Sequence, residues 1–280
     1  MEPPRQPSAF TAALPAEGIF RFEMGLRKGT ADFFAPTDAA LLAQRSELLS
    51  EHPLLHAAML AEGAPVLHEL VGFTARWVPE KPPTLTGAAL CRWLGERLEP
   101  DFLLLLPEAG GKHRLAGGCL CFPTKWDLRE KLGLGLEAIH EPVPTLNENL
   151  AARIDAFLSA LKPGPVWQRW NWSLTASPAL NLHPATSPGP VSEAASLADT
   201  WLRLEEQTFL RLPETRGILF AIRIQAHRLT QLPPFAAARL AEWLNSMPES
   251  VAHYKGLAAA RRSLVRALRA AAETKPAHPA

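Results

Sequence analysis

The feature that most limits the fold of this 280-residue chain is a pair of apolar runs joined by a glycine turn. Phe102 to Leu106 is a short buried run, and His113 to Phe122 follows it after Gly110 and Gly111. Two strand-length runs separated by a Gly-Gly turn read as an antiparallel hairpin. Trp170 to Thr175 and Gly217 to Gln225 read as two further strands. The latter places Ile218, Phe220, Ile222 and Ile224 on one face and Leu219, Ala221, Arg223 and Gln225 on the other. Amphipathic helices are legible between them. Thr86 is positioned to cap a helix carrying Leu90, Trp93, Leu94 and Leu98. Thr145 and Glu148 have capping-box spacing ahead of Leu150, Ile154, Phe157, Leu158 and Leu161. Leu240, Trp243, Leu244 and Met247 form another stripe, stopped by Pro248. Leu197, Trp201, Leu204, Thr208 and Leu212 also read as a helical stripe. Hairpins mixed with separate helices predict an α+β fold around an antiparallel sheet.

A hydrophobic content of 47% supports a sizeable core. The reading is one domain over residues 16–262, a flexible N-terminus over 1–15, and a helix end with a disordered tail over 263–280. Within this unit Ser187 to Ser192 is the clearest loop, with helical periodicity expected to resume after it. The 29 basic and 28 acidic side chains leave a net charge of +1, which argues against a broad nucleic-acid-binding face. Three cysteines are too few for a disulfide framework and fit a reducing compartment. The N-terminus lacks the apolar segment of a secretory signal. The longest apolar runs fall far short of the roughly 18–20 residues that span a bilayer. A soluble cytoplasmic protein is the expectation, with its oligomeric state open.

No phosphate-binding loop, nucleophile elbow or zinc-protease motif is present. Cys119 and Cys121 form a C-x-C on a strand, so both thiols share a face, and His113 on that face offers a third ligand. Two small buried hydrophobes on a strand explain the pair better, since free cysteine is among the most buried residue types. After Pro123 a helix is expected to carry Leu132, Leu136 and His140 at helical spacing, stopped by Pro142 and Pro144, with the residue before each proline extended. A histidine on a fixed apolar wall can ligate a metal or haem iron, or hydrogen-bond a nearby carbonyl within the core. In Arg169-Trp170-Asn171-Trp172, alternation puts Arg169 and Asn171 on one face and the tryptophans on the other. Glu205 and Glu206, read on a helix, diverge by about 100° and form no dyad by default. Arg223 calls for an anion, either a structural carboxylate or a cofactor's propionate.

Taken together, these segments resemble a known family. The residues that carry the resemblance are Gly117-Gly118 with Cys121-Phe122-Pro123-Thr124 and Trp126, Lys131 and Gly133, and Ile139-His140 with Pro142-Val143-Pro144. They continue with Arg169, Asn171 and Trp172, then Leu202-Arg203 with Glu205, Gln207-Thr208-Phe209 and Arg211-Leu212-Pro213. Phe220, Ile222 and Arg223 follow, and finally Pro248 and Tyr254-Lys255-Gly256-Leu257. In this order they resemble the haem-dependent oxidative N-demethylases, whose haem subunit is similar to dimethylamine monooxygenase components.

The resemblance implies a PAS-like antiparallel sheet with flanking helices that holds haem b. It implies oxidative demethylation of a small secondary amine such as dimethylamine, releasing formaldehyde. Electrons would come from a separate reductase carrying FMN and an iron–sulfur cluster, fed by NADPH. By the same resemblance His140 is the axial iron ligand. Arg169, Asn171, Trp172 and Arg223 are cofactor contacts, and Glu205 and Gln207 are catalytic contacts to an amine or to oxygen. An arginine is expected between Glu205 and Gln207, where this chain has Glu206. Two alternatives are a haem or small-ligand sensor without turnover, and iron ligation by Cys119 or Cys121.

Overall fold

The hairpin expected around Gly110 and Gly111 is present in the computed structural model, which describes residues 9–14, 18–35 and 37–273. The N-terminal half comprises α1 (Ala9–Ala13), β1 (Arg27–Gly29), α2 (Ala39–Glu51), α3 (Pro53–His56), β2 (Ala57–Met59), α4 (Ala64–Thr74) and α5 (Gly87–Gly95). The hairpin strands β3 (Asp101–Pro107) and β4 (His113–Cys119) come next, then α6 (Leu128–Lys131), α7 (Leu136–His140) and α8 (Leu146–Ala160). Three long strands, β5 (Val166–Thr175), β6 (Trp201–Arg211) and β7 (Ile218–Arg228), precede α9 (Pro234–Ser246), α10 (Glu249–Tyr254) and α11 (Arg261–Glu273). The strands form one antiparallel sheet in the order β1-β5-β6-β7-β3-β4-β2. The α+β class is therefore as expected.

The two faces of the sheet bury different helices. On one, Phe157 of α8 packs edge-on against Trp167 and Phe209, and Phe209 stacks on Phe220 at 4.7 Å. On the other, Trp172, Leu202 and Leu204 join Leu240, Trp243 and Leu244 of α9 and Leu264 of α11 in a buried cluster. Alternation of side chains along each strand produces this division. Gly95 lets α5 approach the sheet, since a Cβ there would collide with the Cys119 sulfur.

Several local expectations are corrected. The stripe from Leu197 to Leu212 is not a helix: residues 201–211 are β6 and residues 176–200 are irregular, so no helical periodicity follows Ser192. The helix expected through Leu132, Leu136 and His140 is two short helices, broken at Gly133 with φ 79°. Glu141, before Pro142, is helical rather than extended. The helix after Thr145 forms as α8, but Thr145 takes a left-handed conformation at φ 60° and makes no side-chain cap. Strand β4 ends at Cys119, short of Phe122. It also carries a bulge, because Leu104 pairs with Gly117 while Leu105 pairs with Leu115. One extra residue rotates the strand, so His113 and Cys119 face opposite sides of the sheet. Cys119 and Cys121 lie fully buried in the core with their sulfurs 3.9 Å apart. Burial is the main influence raising the Cys121 thiol well above its ordinary value. Residues 1–8, 15 and 274–280 of the flexible-terminus reading lie outside the described residues, while Ala9–Ala13 are helical with Ala13 and Leu14 buried. No helix among the described residues is long and apolar enough to cross a membrane.

Candidate functional site

The pairing of β5 with β6 sets Arg169 opposite Gln207 and Asn171 opposite Glu205. Directly opposed residues of an antiparallel pair project to the same face. Four polar side chains from segments remote in sequence thus share one patch. Glu205 is its hub. Its carboxylate accepts from Thr124 Oγ1 at 2.6 Å, Asn171 Nδ2 at 3.1 Å and Gln207 Nε2 at 2.8 Å. Arg203, only 1% exposed, supports the hub through Thr124, donating Nε to Thr124 Oγ1 at 2.9 Å and Nη2 to the Phe122 carbonyl at 2.6 Å. Burial pulls the Arg203 guanidinium down to about 10, while Glu205 and Asp101 counteract it.

Arg169 stands beside this hub with its Nε lacking a hydrogen-bond partner among the described residues. Burial lowers its pKa and the Glu205 charge partly offsets that. His140, the last residue of α7, is half-buried, and its ring makes no hydrogen bond among the described residues. Burial pushes His140 below its ordinary value, and the charges of Arg169 and Lys131 push it further. A histidine in this state is neutral near pH 7 and offers a ring nitrogen lone pair. It is not the carbonyl-bonded core histidine of the simpler reading.

The structure thus brings Arg169, Asn171, Glu205 and Gln207 onto one face, with His140 close enough to sense the Arg169 charge. Two expected members point elsewhere. Trp172 lies on the opposite face, with its ring 5.6 Å from Trp243. Arg223 also faces that side, pairing with Glu99 at 3.3 Å and donating to the Phe33 carbonyl at 2.5 Å. It satisfies a structural carboxylate and is not free to meet a cofactor on the Glu205 face. Glu206, at the position where an arginine was expected, also projects away from Glu205 towards Arg223 and Arg27. Burial raises its pKa and those two arginines oppose the rise. The charge reversal therefore falls behind the sheet, outside the patch.

Sequence reasoning assigned no role to Lys255, Tyr254 or Lys125. Lys255 donates Nζ to the Trp172 carbonyl at 2.9 Å, and its ammonium lies 5.1 Å from the centre of the Trp172 ring. Burial lowers Lys255 to about 8, with Glu205 opposing the fall and Lys125 adding to it. Lys125 is lowered by burial, and Tyr254 is raised by burial and by the Glu205 charge. The Tyr254-Lys255-Gly256-Leu257 motif was the available signal, but nothing local shows that it reaches β5. Below about pH 8 Lys255 is charged in both folded and unfolded chains, so its burial cost is fully felt. Stability should then rise with pH between about 8 and the unfolded value of 10.5, where only the unfolded chain holds the extra proton. With lysine Cε carbons isotopically labelled, one resonance should titrate near pH 8; uniform titration near 10.5 would contradict this environment.

Among the described residues no three His, Cys, Asp or Glu side chains converge to hold a bare metal ion. Any iron at this patch would therefore need a cofactor to supply most of its ligands. A family model described as haem-dependent oxidative N-demethylase, alpha subunit-like, matches residues 48–265.

Proposed function

Because the chain belongs to the haem-dependent oxidative N-demethylase, alpha subunit-like family, we propose that it holds haem b against the Glu205 face of the sheet and demethylates a small secondary amine such as dimethylamine. A separate reductase with FMN and an iron–sulfur cluster, fed by NADPH, would supply the electrons. The observation that carries this reading is a neutral, unbonded His140 within reach of the charge of a partly unpaired Arg169.

The residues present fit such a cofactor. His140 would supply a nitrogen ligand to the iron, and Arg169 would offer its unused guanidinium donor to a propionate carboxylate. The stacked Phe209 and Phe220 and the edge of Phe157 give the same face an apolar wall. The central strand order also supports a PAS-like reading. Taking β3, β4, β5, β6 and β7 as first to fifth, they run second-first-fifth-fourth-third, with α6–α8 inserted between second and third.

Haem, when bound, supplies the electron and oxygen chemistry that no side chain possesses. The chain contributes binding and orientation. Asn171, Gln207 and Thr124 fix the Glu205 carboxylate, whose negative charge attracts a protonated dialkylamine. The Lys255 ammonium, held on the Trp172 carbonyl, feels the Glu205 charge from the neighbouring chain segment.

Glu205→Gln tests the substrate role. A hydrogen bond to a charged partner contributes about 1.5–3 kcal/mol, so kcat/KM for formaldehyde release from dimethylamine should fall roughly 10–100-fold. Haem content should stay unchanged. Unaltered kcat/KM with the reductase supplied would remove Glu205 from amine recognition.

A further inference from the structure

A cavity of about 420 Å³ opens between the start of β4 and helices α7 and α8. Arg169, Asn171, Glu205 and Gln207 do not line it. His113 does, and it is 2% exposed; among the described residues the Gly111 carbonyl is the one acceptor near its ring, which leaves the other ring nitrogen without a donor. Asn147 lines the same cavity. Its Nδ2 donates to the Glu137 carbonyl at 2.8 Å, leaving a buried Oδ1 with no donor. Asp155 completes the wall, and the exposed Glu137 and Glu141 stand at its margin. The one lysine there, Lys112, is tied to Glu137 at 3.1 Å.

Buried polar groups in folded proteins nearly always have partners. Burial and the Arg211 charge push His113 below its ordinary value against the opposing influences of Asp155 and the Gly111 carbonyl, so its ring is neutral and one nitrogen accepts. A neutral imidazole, an unpaired amide oxygen and a carboxylate give the cavity three acceptors, while its one ammonium, on Lys112, is already bonded to Glu137. These acceptors suit a ligand that brings N–H groups and positive charge. A bare metal does not suit, because no three such side chains converge on one point among the described residues. A cation of several atoms bridges more widely spaced acceptors.

We propose that this cavity is a second binding site, for a small primary or secondary ammonium ion, formed by His113, Asn147 and Asp155. The site depends neither on haem nor on turnover, so it stands apart from the proposed function. The test is calorimetric titration of the full chain with methylammonium chloride, with tetramethylammonium chloride as a cation lacking N–H donors. Methylammonium should bind and tetramethylammonium should not. Asn147→Leu and Asp155→Asn, both on α8, should each weaken methylammonium at least tenfold while circular dichroism stays unchanged. Glu205→Gln should leave this binding intact. Equal heats from both cations, or wild-type affinity in the two α8 variants, would overturn the site. Binding lost only in Glu205→Gln would also overturn it, while leaving the proposed function standing.

Discussion

Asp101→Ala is expected to cost about 3–5 kcal/mol of folding stability, because it leaves a buried charge without its partner. Asp101 and Arg45 are both fully buried, with Arg45 Nη1 donating to Asp101 Oδ1 at 2.6 Å. The same carboxylate accepts from the backbone amides of Cys121 at 2.7 Å and Phe122 at 2.9 Å. Arg45 Nε also donates to the Gly95 carbonyl at 2.8 Å. The Arg45–Asp101 pair thus ties α2, the end of α5, the start of β3 and the turn after β4 together. Alanine would strand the guanidinium and two amides at once. The double variant Asp101→Leu with Arg45→Met removes the charge from both sides and should recover a large part of the loss. Urea denaturation of the three proteins measures this. A single variant within about 1 kcal/mol of wild type would contradict the network's role.

His140→Ala carries the second large effect. If His140 ligates haem iron, alanine should abolish stable haem binding or change the spin state that the visible spectrum reports. The fold should persist, because His140 ends a five-residue helix, is half-buried, and makes no hydrogen bond among the described residues. Free imidazole added to the variant should restore part of the spectrum. A wild-type spectrum in His140→Ala would dismiss this ligand. The fully buried Cys119 and Cys121 would not inherit the role, since both sulfurs sit in the core beside Arg45.

Much of the sheet was legible because its strands obey a simple period. Apolar alternation through Ile218 to Ile224 and the Gly-Gly turn before His113 identified three strands and a hairpin. Strand β6 was misread because Leu197, Trp201, Leu204, Thr208 and Leu212 also satisfy helical spacing. The better clue lay in the same segment. Leu202, Leu204, Thr208 and Leu210 alternate with Arg203, Glu205, Gln207 and Arg211, and a strand with one polar but buried face looks amphipathic at either period. The bulge at Ala116 had no sequence mark beyond the neighbouring glycines, yet it decides which way His113 points.

The patch was legible only in part. Local alternation already placed Arg169 and Asn171 together and set Trp172 opposite them. The resemblance nevertheless brought Trp172 into the cofactor set, and the structure follows the alternation. That Glu205 meets Asn171 depends on strand register across residues 176–200, which no local pattern encodes. Lys255 arrives from still further along the chain and reaches a carbonyl on β5.

The most direct test of the central claim is the absorption spectrum of the full chain titrated with haemin. The expected result is a Soret band distinct from free haemin that saturates at one haem per chain and is lost or shifted in His140→Ala. A titration that never departs from the spectrum of free haemin would contradict it.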